Sequence, residues 1–241
     1  MLGVLVITVV VLTTSAQESD RISSCRDVRS HSDGVYRIFP NSTSMPPFFA
    51  YCENSVEGGG WTVIHRRFDD SVPFNRSWID YKYGFGNLQG EFWLGLENMH
   101  QLTRAGHHQL LIVARDAEGF VRTALFERFS VWDEFHRYQI RIGPYIGGNL
   151  TYTFELHDGS KFSTPDTGEY CASAERVGWW FTQCAYVFLN NPIGETGMYW
   201  SGFPSKLMEA RMLTREFTRN AATCDCALNS DALLKIVRQS L

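Results

Sequence analysis

The sequence predicts an α+β fold with a central antiparallel sheet, short flanking helices and a loop-rich C-terminal part. Three observations carry this. Between residues 109 and 142 lie three strand-like runs, Gln109–Arg115, Phe120–Phe129 and Tyr138–Ile142, separated by turn residues such as Asp116–Gly119, as in consecutive antiparallel strands. Helix signals are few and short. Beyond about residue 160, Gly, Pro, Asn and Ser break up the apolar runs and leave aromatic clusters, Trp179-Trp180-Phe181, Tyr199-Trp200 and Phe203. Loop-rich chain of that kind needs a covalent staple or a metal.

Each element has a local cause. Leu2–Leu12 is apolar but too short to span a bilayer, and small residues at Thr14 and Ala16 fit a signal-peptidase cut before Gln17. Residues 1–16 are therefore expected to be a signal peptide, and 17–24 a short polar segment. Turn residues Ser32-Asp33-Gly34, Pro40, Pro46 and Pro47 precede a strand at Phe48–Cys52. Gly58-Gly59-Gly60 is a tight turn into a β-prone run, Trp61–His65. Ser77 is placed to cap a short helix ending near Gly84, and Glu97–Arg104 has helical spacing with Gly106 as its C-terminal cap. The main domain is expected over 25–215. The tail, 216–241, carries Cys224-Asp225-Cys226 and then a helix from Ser230-Asp231 whose Leu233, Leu234, Val237 and Leu241 share one face. That face docks on a partner or back on its own domain.

Composition narrows the function. The 241 residues hold 22 Lys+Arg against 26 Asp+Glu, a net charge of −4, whereas a nucleic-acid binder needs a basic face. Enzyme motifs are missing: there is no G-x-S-x-G, H-E-x-x-H or P-loop. Gly84-Phe-Gly86-Asn-Leu-Gln-Gly90 resembles a dinucleotide fingerprint, but its third glycine falls one residue late. His107-His108 read as surface histidines, and Asp69-Asp70 and Asp133-Glu134 as solvated loop carboxylates. The chain is expected to be non-catalytic.

Six cysteines and three N-x-S/T sequons, at Asn41, Asn75 and Asn149, agree with the leader in pointing to an extracellular glycoprotein. Cys25 and Cys52 flank one loop, and Cys171 and Cys184 another. A bond within Cys224-Asp225-Cys226 would be strained, so interchain bonds or separate partners are the expectation there. Asp166-Thr167-Gly168-Glu169 reads first as a plain turn. The alternative is a weak calcium cradle built on Asp166 and Glu169.

One block is highly specific. Glu57-Gly-Gly-Gly-Trp-Thr-Val-Ile-His-Arg-Arg67 is followed from Ser77 by Ser-Trp-Ile-Asp-Tyr-Lys-Tyr-Gly-Phe-Gly-Asn-Leu-Gln-Gly-Glu-Phe-Trp-Leu-Gly-Leu-Glu-Asn98. With Asp33-Gly-Val-Tyr36, Lys161-Phe-Ser-Thr164, Cys171-Ala172 and Gly178-Trp-Trp-Phe181, it resembles the fibrinogen C-terminal domain of ficolins, tachylectins, angiopoietins, tenascins and the fibrinogen chains. The resemblance implies a disulfide-tied, loop-rich C-terminal subdomain with a calcium loop and a ligand pocket. It also implies the pairs Cys25–Cys52 and Cys171–Cys184, and raises a cis peptide at Gln183–Cys184. Ligand-binding positions would be Phe181, Cys184, Ala185, Tyr199 and Trp200. Phe181 and Ala185 stand where acetyl-binding members have Tyr and His, and the calcium loop lacks its second Asp. Trp179 and Trp180 read as core. The implied role is lectin-like recognition of acetylated or other carbohydrate on microbial surfaces in innate immunity. The alternative is a structural or signalling ligand for a protein receptor, with the carbohydrate and calcium sites degenerate. No membrane span or nucleic-acid partner is expected, and a disulfide-linked homo-oligomer would use Cys224 and Cys226.

Overall fold

The structure, a computed structural model, describes residues 22–30, 32–40, 46–56, 58–184, 186–193 and 197–217. The leader, Asn41, Ala185 and the Cys224–Cys226 tail lie outside the described residues. The strands are β1 Gly34–Ile38, β2 Phe48–Glu53, β3 Trp61–Arg67, β4 Phe85–Gly86, β5 Phe92–Trp93, β6 His107–Asp116, β7 Val121–Phe126, β8 Phe129–Val131, β9 Ile140–Ile142, β10 Tyr145–Gly148, β11 Val187–Phe188, β12 Tyr199–Trp200 and β13 Leu207–Phe217. The helices are α1 Trp78–Tyr83, α2 Leu96–Thr103 and α3 Tyr170–Glu175.

The main sheet is antiparallel and runs β1-β2-β3-β13-β6-β7-β10, with β5 added beside β3 and β4 beside β5. At its centre β13 pairs along its length with β6 (Leu213 opposite Leu111) and on its other edge with β3 (Met212 opposite His65). β6 is buried on both faces from His108 to Ala114, which is why it reads as a continuous apolar run rather than an alternating one. The hairpin turn at Asp116–Gly119 closes as expected, with Gly119 N–H donating to the Asp116 carbonyl. The expected second run, Phe120–Phe129, divides: β7 ends at Phe126, and β8 leaves the main sheet to pair with β9, which lies in the third run.

The two expected helices within the described residues form, and the expected tail helix lies outside them. Ser77 caps α1 by accepting from Asp80 N–H, while the Asp80 carboxylate accepts from Ser77 N–H at 3.1 Å, a reciprocal capping box. α2 ends one residue early, with Arg104 as its cap. Gly106 instead turns the chain into β6 at φ 77°. The Gly84/Gly86 pair serves close backbone approach: a Cβ on Gly86 would lie 2.3 Å from the Glu91 carbonyl oxygen. The core beneath the sheet is aromatic. Trp93 packs within 5.3–5.6 Å, centroid to centroid, of Tyr81, Phe162 and Trp180. Cys25–Cys52 ties the N-terminal turn to β2, and Cys171–Cys184 ties α3 to the following loop.

Two further expectations are corrected. His108 is not a surface residue: it is 5% exposed, and burial pushes its pKa down to about 4. His107 beside it is exposed, as successive strand residues face opposite ways. The loop carboxylates are also engaged. Asp70 holds the buried Arg67 guanidinium and accepts from Ile193 N–H at 2.9 Å, and Glu134 accepts from Lys82 and from the Trp78 indole N–H.

Candidate functional site

The loop-rich part is anchored by a two-way backbone bridge between Ser163 and Trp179. Trp179 and Trp180 are fully buried, and the Trp180 indole N–H donates to the Tyr138 carbonyl at 2.8 Å, as a buried indole requires. The chain then surfaces at Phe181. Phe181 packs against Phe188 at 5.5 Å, and Phe188 stacks on Tyr199 at 6.0 Å and 27°. The last contact is fixed by strand register, because β11 and β12 pair Phe188 with Tyr199 and Val187 with Trp200. The result is a ladder of three aromatic rings whose outer rung, Tyr199, is 46% exposed.

The predicted site residues therefore separate. Phe181 and Tyr199 belong to one surface and are joined through Phe188, which sequence reasoning missed. Trp200 does not line that surface: it is 1% exposed, and its indole N–H donates to Thr151 Oγ1 at 2.8 Å. Alternation along a two-residue strand sends Tyr199 outward and Trp200 inward.

Cys184 closes the loop below the ladder, with its Cα 5.3 Å from that of Cys171. No cis peptide occurs among the described residues. Gln183 and Cys184 are both left-handed instead, at φ 47° and 51°. Two successive non-glycine residues there cost on the order of 1–3 kcal/mol each, and the staple holds them in place.

His157 braces the same loop from within. Its Nδ1–H donates to the Trp180 carbonyl at 2.6 Å, and its Nε2 accepts from Val187 N–H at 3.2 Å. One imidazole thus links both ends of the segment that presents the ladder. Burial lowers its pKa to about 4, against the opposing effect of the Trp180 bond, so it is neutral at physiological pH. His65, edge-on to Trp93 and Trp179, is pushed lower still, to about 3, by burial and then by the Arg67 charge.

The carboxylates considered for calcium point to different partners. Both Asp166 oxygens accept from Trp78 N–H, at 3.0 and 3.1 Å, and Oδ1 also accepts from Thr164 Oγ1. Glu169 pairs with Arg137 at 3.0 Å. Among the described residues no group of three or more His, Cys, Asp or Glu is placed to hold a metal. A hard cation needs several converging oxygens, and this donor set does not fit one.

Residues 22–212 match the family described as "Fibrinogen beta and gamma chains, C-terminal globular domain". Tenascin-R of Mus musculus is 36% identical over 201 residues, covering 79% of this chain and 14% of that protein. Angiopoietin-related protein 6 of Homo sapiens is 39% identical over 210 residues, covering 80% of this chain and 44% of that protein. The chain thus spans less than half the length of these relatives. The solved fibrinogen-like globe domain of human ANGPTL6 superposes with a TM-score of 0.73 at 35% identity, covering 82% of this chain and 96% of that one.

Proposed function

The chain belongs to the fibrinogen C-terminal domain family, and from that premise we propose that it is a secreted, non-catalytic recognition protein whose Phe181–Phe188–Tyr199 ladder takes acetylated carbohydrate on microbial surfaces, in innate immunity. The observation that carries this is the exposed Tyr199 ring at the end of the stack. An aromatic face offers an apolar platform to sugar C–H groups and to an acetyl methyl, and the Tyr199 hydroxyl adds one polar handle. Phe181 has no hydroxyl to pair with an acetamide, so each site binds weakly and avidity has to multiply it. The sequon at Asn75 and the two disulfides suit an extracellular setting. No helix among the described residues is long and apolar enough to cross a membrane.

A second reading, a ligand for a protein receptor, is favoured by the apolar character of the ladder, which suits a peptide side chain equally well. Retention of the secreted protein on N-acetylated resin and on the same resin without acetyl groups tests the choice. Acetyl-dependent retention, unchanged by chelator, supports the carbohydrate reading. Absence of retention on both resins rejects it in favour of a protein partner.

A further inference from the structure

A second surface site lies away from the ladder. The end of α2, the start of β6, β8 and the turn at Glu134–His136 enclose a cavity of about 330 Å³. Arg104 and Arg128 line it, both exposed and neither ion-paired among the described residues. Asp133, a carboxylate in its wall, is taken up by His136 Nδ1 at 2.6 Å. Arg104 donates to Gln101 Oε1 at 3.3 Å, a neutral partner that leaves its charge uncompensated, so in a chain of net charge −4 two guanidinium groups at one cavity make a local positive field against the overall sign.

The other side chains at the cavity point the same way. His100 Nδ1 bonds the Val131 carbonyl at 2.8 Å. A carbonyl only accepts, so this nitrogen carries the proton and Nε2 is left as the free atom. His136, held through Nδ1 by Asp133, likewise presents Nε2. Trp132, 41% exposed, lines the cavity, and its ring meets the His136 ring at 4.7 Å. Phe135, 89% exposed, also meets the His136 ring edge-on at 5.1 Å.

We propose that this cavity binds a sugar carrying a tetrahedral oxyanion ester, sulfate or phosphate. Arg104 and Arg128 take the oxyanion through charge-assisted bonds, the imidazole Nε2 atoms hydrogen-bond sugar hydroxyls, and Trp132 carries the C–H face of the ring. The site shares no residue with the aromatic ladder and stands whether or not the acetyl reading does.

The test is a calorimetric titration of the full chain with glucose 6-sulfate, glucose 6-phosphate and plain glucose, with histidine ring signals followed by NMR. Binding of either ester but not glucose, with shifts at His100 and His136 and none at the buried His65, is the expected result, and the ester preferred assigns the source. Arg104→Ala/Arg128→Ala should weaken the ester about tenfold or more, and Trp132→Ala should weaken it separately. Arg29→Ala/Arg37→Ala, with the same change of charge elsewhere, should bind as the parent does. Equal loss in that control pair, binding of glucose alone, binding of no probe, or unmoved His100 and His136 signals would each overturn the proposal.

Discussion

His157 Nδ1 stands 2.6 Å from the Trp180 carbonyl oxygen, while the opposite ring nitrogen receives the Val187 N–H. A second proton on this ring would sit on Nε2 and face another donor. Its folded pKa, about 4, is therefore below the unfolded histidine value near 6.5. For a depressed group the stabilisation is complete above pH 6.5 and is lost as pH falls through the folded value. The unfolded chain takes up the proton first in that window, so His157 alone costs on the order of 3 kcal/mol between pH 6.5 and 4. His108 acts in parallel, and His65 extends the loss to about pH 3. Thermal melts from pH 7.5 to 4.5 should show a falling Tm, and His157→Gln should lower Tm at pH 7.5 yet flatten the slope.

The Cys171–Cys184 bond closes a short loop, with a sequence separation of 13. Cross-links of this span contribute about 3 kcal/mol through the unfolded chain. Here the bond also restrains the left-handed pair Gln183 and Cys184. Cys171→Ser/Cys184→Ser is expected to lose about that much in a urea melt. Retention on acetylated resin should fall at denaturant concentrations where the main sheet still gives its native circular dichroism.

Local chemistry made some of this legible in the sequence. Ser77 and Gly84 bracket α1 as a capping residue and a positive-φ glycine stop, and Gly58-Gly59-Gly60 turns with all three φ angles positive. β13, the longest strand and the centre of the sheet, gave no signal. Met, Glu, Ala, Arg and Leu fill Leu207–Phe217, and these favour helix over strand. A register shift between Met212 and Leu213 against β3 also puts two successive residues in the core and breaks the period-2 pattern. At the site, Phe181 and Tyr199 were identified from resemblance and are joined. Phe188 and His157 were invisible because each acts through a partner dozens of residues away or across a two-residue strand pair.

The two sequons among the described residues, at Asn75 and Asn149, differ in the fold. Asn75 is exposed. Asn149 uses its side chain to finish the sheet edge, its Oδ1 accepting from Thr123 N–H at 2.7 Å and its Nδ2 donating to the Val121 carbonyl at 3.2 Å. Asn149→Ala should cost about 1–2 kcal/mol in chemical denaturation, and Asn75→Ala close to nothing. Glycopeptide mass spectrometry of the secreted protein should find Asn75 more fully occupied than Asn149.

Asp166 closes the N-terminus of α1 by accepting from Trp78 N–H. Asp166→Ala is expected to lower stability by about 1 kcal/mol through the lost bonds to Trp78 N–H. Melting curves in millimolar calcium and in chelator should coincide for both parent and variant. A calcium-dependent rise in Tm that disappears in the variant would show instead that Asp166 turns toward a cation.

The most direct test of the aromatic ladder is a calorimetric comparison of the parent chain and Tyr199→Ala, each titrated with N-acetylglucosamine and with glucose. Tyr199 is the exposed rung, and its ring stacks on Phe188 at the surface, so the variant should fold as the parent does. The account predicts that the parent prefers the acetylated sugar and that the variant binds it about tenfold more weakly, the equivalent of one aromatic contact. Equal affinity in parent and variant, or no preference for the acetylated sugar in the parent, would contradict it.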